Sequence, residues 1–129
     1  MTDIYGQWVL TAQALNLDGS VLYDWAARVR IEPEEGDHVQ VTVDSEGGKK
    51  SRAVSTGAQL RAMPDGRSSL LYDYVADPAH EATASHDFFG LVRYIFERDG
   101  QSAQGHYLNY NSRYTFGRLS LTRAEKGQL

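Results

Sequence analysis

Apolar and polar residues alternate along the chain in stretches bounded by Gly, Pro, Asn or Asp, and no apolar repeat of helical period is sustained. This pattern predicts a chain that is nearly all β. The first strand is expected over Ile4 to Ala14, with Ile4, Gly6, Trp8, Leu10 and Ala12 on one face, and Leu17-Asp18-Gly19-Ser20 turns it back. The second, Leu22 to Glu32, places Tyr23, Trp25, Ala27, Val29 and Ile31 inward and ends at Pro33 and Gly36. His38 to Asp44 forms the third, burying Val39, Val41 and Val43, and Glu46-Gly47-Gly48 leads into a fourth from Lys50 to Met63. In the fourth strand the apolar positions lose a single phase, which points to a bulge near Gly57.

Pro64-Asp65-Gly66 is a turn signal, and the fifth strand, Arg67 to Ala76, sets Leu70, Tyr72 and Tyr74 against Leu71, Asp73 and Val75. After Asp77-Pro78 and a polar loop, the sixth strand runs from Asp87 to Arg98 and is apolar on both faces. Phe88, Gly90, Val92, Tyr94 and Phe96 form one row, and Phe89, Leu91 and Ile95 form the other. The outer row needs a cover, which makes it a candidate surface for self-association. Asp99-Gly100 and Asn111-Ser112-Arg113 link the sixth strand to a seventh, Ser102 to Tyr110, and an eighth, Tyr114 to Arg123, with residues 124–129 a frayed tail.

Eight consecutive antiparallel strands joined by hairpins commonly remove their free edges by closing into an up-and-down, lipocalin-like barrel. An open β-sandwich is the alternative architecture. At 129 residues, 41% hydrophobic and 23% charged, the chain is expected to form one domain over 1–129. The absence of cysteine excludes disulfides, thiolate metal sites and cysteine nucleophiles together. No apolar run reaches the length of a membrane span, and Asp3 stands where a secretory signal carries a basic residue, so a cytoplasmic location is expected.

The net charge of −4 argues against binding duplex nucleic acid. Charge is nevertheless uneven, with 7 basic and 14 acidic groups in residues 1–90 against 6 basic and 3 acidic in 91–129. That asymmetry fits either solvated strand faces or a local anion site near the C-terminal end, where Arg113 and Arg118 are the candidate phosphate ligands. Catalytic signatures are missing: there is no G-x-S-x-G elbow and no H-E-x-x-H pair, and Gly47-Gly48-Lys49-Lys50-Ser51 lacks the earlier glycine of a phosphate loop. His80, Glu81, His86 and Asp87 follow no metal-ligand spacing, so neither a metal nor an enzymatic activity is expected.

Alternation directs Tyr72, Tyr74, Tyr107, Asn109 and Thr115 inward, giving a polar, aromatic interior. Aromatic rings stack on nucleobases, Asn and Thr read base edges, and Arg113 at the mouth of the barrel neutralises phosphate. Each tyrosine taken singly also fits an ordinary β core with its hydroxyl at a rim. Trp8, Trp25, Leu10, Val39 and Val43 read as plain core, while Gly105 and Gly117 either relieve crowding or leave room for a ligand.

The order and spacing of several elements carry a more specific signal. These are Gly6-Gln7-Trp8; Leu70, Tyr72, Tyr74 and Pro78; His86; Gly105 and Tyr107; and Arg113, Thr115, Gly117, Leu119, Leu121 and Arg123. Across most of the chain this arrangement resembles the β-barrel domain of the two-transmembrane, β-strand-rich effectors of bacterial CBASS antiphage systems. The resemblance implies a lipocalin-like barrel that binds a cyclic dinucleotide made by a CD-NTase-type nucleotidyltransferase and thereby triggers membrane disruption. It also implies no cofactor, and adds His86 to the ligand residues. Two departures are visible. The paired transmembrane helices of the family are missing, which leaves an excised sensor associated with the inner membrane, a soluble relative or a phage-side decoy as alternatives. Phe88 also stands where the family pattern has a glycine two residues after the histidine. The competing functions are a carrier of a small apolar ligand, which requires an aliphatic interior without arginine near the mouth, and a hydrolase acting on such nucleotides.

Overall fold

The computed structural model describes residues 3–46, 50–80 and 87–124. Among them, eight antiparallel strands close into a barrel in simple chain order, with β8 returning to pair with β1. The strands are β1 (Gly6–Leu15), β2 (Val21–Pro33), β3 (Val39–Ser45), β4 (Arg52–Ala62), β5 (Ser68–Ala76), β6 (Phe89–Phe96), β7 (Ser102–Tyr110) and β8 (Tyr114–Arg123). Closure, rather than the open sandwich, is the outcome. Every strand has two hydrogen-bonded neighbours, although β3 and β4 pair only over Thr42–Asp44 and Arg52–Val54, where the closure is thinnest. The predicted irregularity in the fourth strand is present as a register shift between Ser55 and Gly57. The predicted tail falls outside the described residues apart from Ala124.

The two ends of the barrel differ. At the end where the chain enters, Trp8, Ile31, Val41, Leu70, Phe96 and Leu121 are fully buried. Each side chain of this kind contributes roughly 1.5–3 kcal/mol on burial. Trp8 is the plug: its indole N–H donates to the Ile4 carbonyl at 3.0 Å and its ring meets Phe96 edge-on at 5.2 Å. Arg123 closes this end from outside. Its guanidinium lies 4.1 Å over the Trp8 ring and donates to the carbonyls of Gly100 (2.9 Å), Asp3 (2.7 Å) and Tyr5. Arg123 is in phase with the inward residues Leu119 and Leu121, and at the end of β8 that phase turns it under the barrel floor.

Three interior tyrosines each face a glycine on the next strand: Tyr74 opposite Gly90, Tyr94 opposite Gly105 and Tyr107 opposite Gly117. A Cβ at these glycines would meet the paired ring, at 2.6 Å from Tyr74 Cζ, 2.8 Å from Tyr94 Cδ1 and 2.9 Å from Tyr107 Cε1, as well as a neighbouring backbone carbonyl. The glycines therefore make space for tyrosine rings to lie across the sheet where it curves, which resolves the two readings left open for Gly105 and Gly117.

Candidate ligand-binding cavity

The opposite end is open. A cavity of about 520 Å³ extends down from it to Leu10 and Leu119, within the size range of small-molecule sites. Strand alternation supplies its walls. Tyr72 and Tyr74 come from β5, Val92 and Tyr94 from β6, Tyr107 and Asn109 from β7, and Thr115 from β8. Phe88, just before β6, extends the wall formed by β5 and β6. Its ring lies 6.4 Å from that of Tyr74, which continues through Tyr72 (6.3 Å) to Tyr94 (6.3 Å). A second aromatic wall forms where Trp25 of β2 meets Tyr107 at 5.5 Å and an interplanar angle of 84°.

Two hydrogen-bonded pairs organise the polar atoms. The Trp25 indole N–H donates to the Tyr107 hydroxyl at 3.1 Å, and the Tyr74 hydroxyl donates to Asn109 Oδ1 at 2.6 Å. Burial pushes the phenols of Tyr72, Tyr74, Tyr94 and Tyr107 above their usual range, because a phenolate would lose its hydration inside the barrel. The four hydroxyls therefore stay protonated and neutral at physiological pH. Around the rim, the β3–β4 hairpin contributes Ser45, Glu46, Lys50 and Ser51, with Ser45 Oγ and Ser51 Oγ 2.8 Å apart. Lys50 is the cation that lines the cavity among the described residues.

Of the residues expected to form the site, Tyr72, Tyr74, Tyr107, Asn109 and Thr115 line this one cavity. Arg113 does not. It is exposed in the β7–β8 hairpin, at the open end but outside the cavity wall. Arg118 cannot reach the interior, since it alternates with inward Gly117 and Leu119 and donates to Gln13 Oε1 at 2.8 Å on the outer face. The basic C-terminal region is thus divided between the open end, the outer face and the floor. His86 lies outside the described residues. Trp25, expected as plain core, is only half-buried and forms cavity wall, while Val43 also lines it. Lys50, Tyr94 and Phe88 were not among the expected site residues. For Tyr94 and Phe88 the signal was present in the inward row of β6, and for Lys50 there was none beyond its place beside a turn.

The outer row on β6 is exposed as expected at Phe89 (53%) and Leu91 (50%), with Ile95 half-buried. The apolar surface continues in register onto β7 and β8. Leu91 lies beside Leu108, and Phe89 stacks on Tyr110 (5.5 Å), which meets Tyr114 (4.8 Å). Among the described residues there is no cluster of metal-ligating side chains and no helix long and apolar enough to cross a membrane.

A closed eight-stranded barrel with a plugged floor and an aromatic, hydrogen-bonding cavity, with Glu46 and Lys50 at its rim, has the build of a lipocalin-like small-molecule receptor. A family profile described as "Cap15, cyclic dinucleotide receptor domain" matches residues 1–123, and the chain belongs to that family. It is also 40% identical over 125 residues to the CD-NTase-associated protein 15 of Yersinia aleksiciae, covering 95% of this chain and 56% of that protein. The chain thus spans little more than half the length of this relative.

Proposed function

We propose that the barrel is a noncatalytic sensor of bacterial antiphage signalling, which takes a cyclic dinucleotide into the cavity and passes the event to an attached or associated effector. The observation that carries this reading is the composition of the cavity. Two aromatic walls suit the flat faces of nucleobases, and neutral Asn, Thr and Tyr groups between them suit base edges. Tyr72, Tyr74, Tyr107, Asn109 and Thr115 take these roles. Charge neutralisation falls to the rim, where Lys50 reaches the cavity and Arg113 stands within the same open end, so the ligand's phosphates face outward and its bases inward. A CD-NTase-type nucleotidyltransferase is the matching source of the ligand.

The interior also bears on the carrier of an apolar molecule. No arginine lines the cavity among the described residues, but Arg113 stands at its open end and the wall is aromatic and polar, where a carrier needs aliphatic side chains and no arginine near the mouth. The exposed row of Phe89 and Leu91, with Ile95 and Leu108, is the surface through which we propose that one barrel meets a second copy. It spans two neighbouring strands and is too apolar to be a simple solvated face.

Calorimetry of the barrel against a panel of cyclic dinucleotides tests the reading. The expected result is saturable one-site binding with the ligand recovered intact after long incubation. Binding of a fatty acid or retinoid with no response to any cyclic dinucleotide favours the carrier, and conversion of the ligand overturns the noncatalytic assignment.

A further inference from the structure

Strand register sorts the outer face of the barrel into rows. One row reads Asp73, Leu91, Leu108 and Phe116 across β5 to β8, and the next row toward the floor carries Arg93, His106 and Arg118 on β6 to β8. The apolar patch therefore has borders of opposite charge, an acid on its β5 side and a basic row on its floor side.

Asp73 pairs with Leu91, and Arg93 stands two residues further along β6, so the two charges are diagonal neighbours with Cα atoms about 7–8 Å apart. Both are exposed, yet neither has an ion-pair partner among the described residues. The Asp73 carboxylate lies over β4 instead, where a Cβ on Gly57 would come within 3.1 Å of its Oδ1. An acid and a base thus stand unpaired at two borders of an exposed apolar face.

A face that binds its own copy through a two-fold axis must be complementary to itself. The axis lies in the plane between the copies, and each residue meets the one at its mirror position across that axis. An axis parallel to the strands, between β6 and β7, sets Arg93 over His106 and Asp73 over the Phe116 ring. An axis along the Leu91–Leu108 row sets Asp73 over its own copy. With strands about 4.8 Å apart and residues about 3.4 Å apart along them, an oblique axis over Leu91 and Leu108 removes both conflicts. It brings each leucine against its own copy and Asp73 against the second copy's Arg93. Phe89 then falls between the second copy's Phe116 and Arg118, where a ring and a guanidinium both receive it.

Resting on the reading of this face as a contact between copies, we propose that two barrels dock across this oblique axis, with Asp73 of each paired to Arg93 of the other. Two ion pairs flank the axis at the β5 end of the contact and fix its direction, while the leucines and Phe89 supply the apolar burial.

The test is sedimentation of the parent, Asp73→Arg, Arg93→Asp, their equimolar mixture and Leu91→Glu, without nucleotide and with each member of the cyclic dinucleotide panel. The parent is expected to dimerise in at least one condition. Either charge reversal sets like charges together at both pairs and should weaken that dimer at least about tenfold. Mixing the two reversed variants should restore it, because each then meets its opposite, which a pair formed inside one barrel does not achieve. The chain has no cysteine, so Leu108→Cys carries a lone thiol at the axis and should cross-link to itself on mild oxidation, whereas Gln104→Cys, far from its own copy, should not. No dimer in any condition overturns the reading of the face as a contact between copies, as does a parent dimer that Leu91→Glu leaves intact. A dimer lost in Leu91→Glu but unchanged by both reversals, a mixture that fails to restore it, or no cross-link in Leu108→Cys overturns the axis and leaves that reading standing.

Discussion

Truncating Tyr107 to alanine separates a ligand-stacking role from a purely structural one. Its side chain is 8% exposed, contacts Trp25 edge-on at 5.5 Å and accepts the indole proton at 3.1 Å. Removing a buried aromatic from a sealed core costs about 3–5 kcal/mol. Here the ring borders a cavity that already exists, so less packing is lost. The edge-to-face contact is worth ~1 kcal/mol, and the hydrogen bond adds ~1 kcal/mol. With some lost burial, a destabilisation of about 2–3 kcal/mol is expected. At this chain length that lowers Tm by roughly 6–12 °C. If the ring stacks on a base, affinity for the cyclic dinucleotide falls in addition by about 1–3 kcal/mol. Tyr107→Phe keeps the ring and loses the hydroxyl, which accepts from Trp25 and carries a proton of its own. Its stacking should persist, so its binding should fall by much less than that of Tyr107→Ala, with a cost of about 1 kcal/mol in stability. Thermal melts and calorimetry below the transition of the weakest variant measure the two effects separately. Unchanged affinity in folded Tyr107→Ala would refute the stacking role and return Tyr107 to the core.

Three further outcomes follow from the same geometry. Arg123→Ala, which removes the floor clamp over Trp8, should lower stability by about 2 kcal/mol in a thermal melt while leaving ligand affinity unchanged; a loss of affinity with unchanged Tm contradicts the assignment to the floor. The buried phenols of Tyr72, Tyr74, Tyr94 and Tyr107 keep their protons above pH 10, the usual value at which the unfolded chain sheds its own. The unfolded state then binds fewer protons than the barrel, so stability is fully present below pH 10 and falls as pH rises above it, as denaturant melts from pH 8 to 12 should record. Leu91→Glu should keep the parent's Tm and ligand affinity but abolish ligand-dependent association in light scattering, and equal association by parent and variant contradicts an interface at that row.

The strand order and the inward rows of β1, β2, β5, β6 and β8 were legible in the sequence because period-two alternation is a local property that barrel closure preserves. Even the irregular β4 was visible as a loss of phase at Gly57. The interior tyrosines were legible for the same reason. What alternation does not encode is depth along the barrel axis. Trp8 and Trp25 have the same inward phase, yet one seals the floor and the other lines the cavity, because they sit at different heights on antiparallel neighbours. Arg113 and Arg123 make the same point at the two ends of β8: phase aims both inward, but one is exposed in the rim hairpin and the other wraps under the floor. Lys50 carried no signal, since alternation along a strand does not say which residues beside a turn reach the cavity.

The central claim is that the ligand enters the barrel, and the two tryptophans offer a direct measurement of it. Trp25 lines the cavity against Tyr107, whereas Trp8 is fully buried in the floor. A cyclic dinucleotide stacking in the cavity should change the emission of Trp25, with saturation at the concentration where calorimetric binding saturates. In Trp25→Phe, which leaves only Trp8 to report, the same titration should give no change while calorimetry still records binding. A parent emission that stays flat at a ligand concentration where calorimetry shows full occupancy would place the ligand outside the barrel and contradict the account.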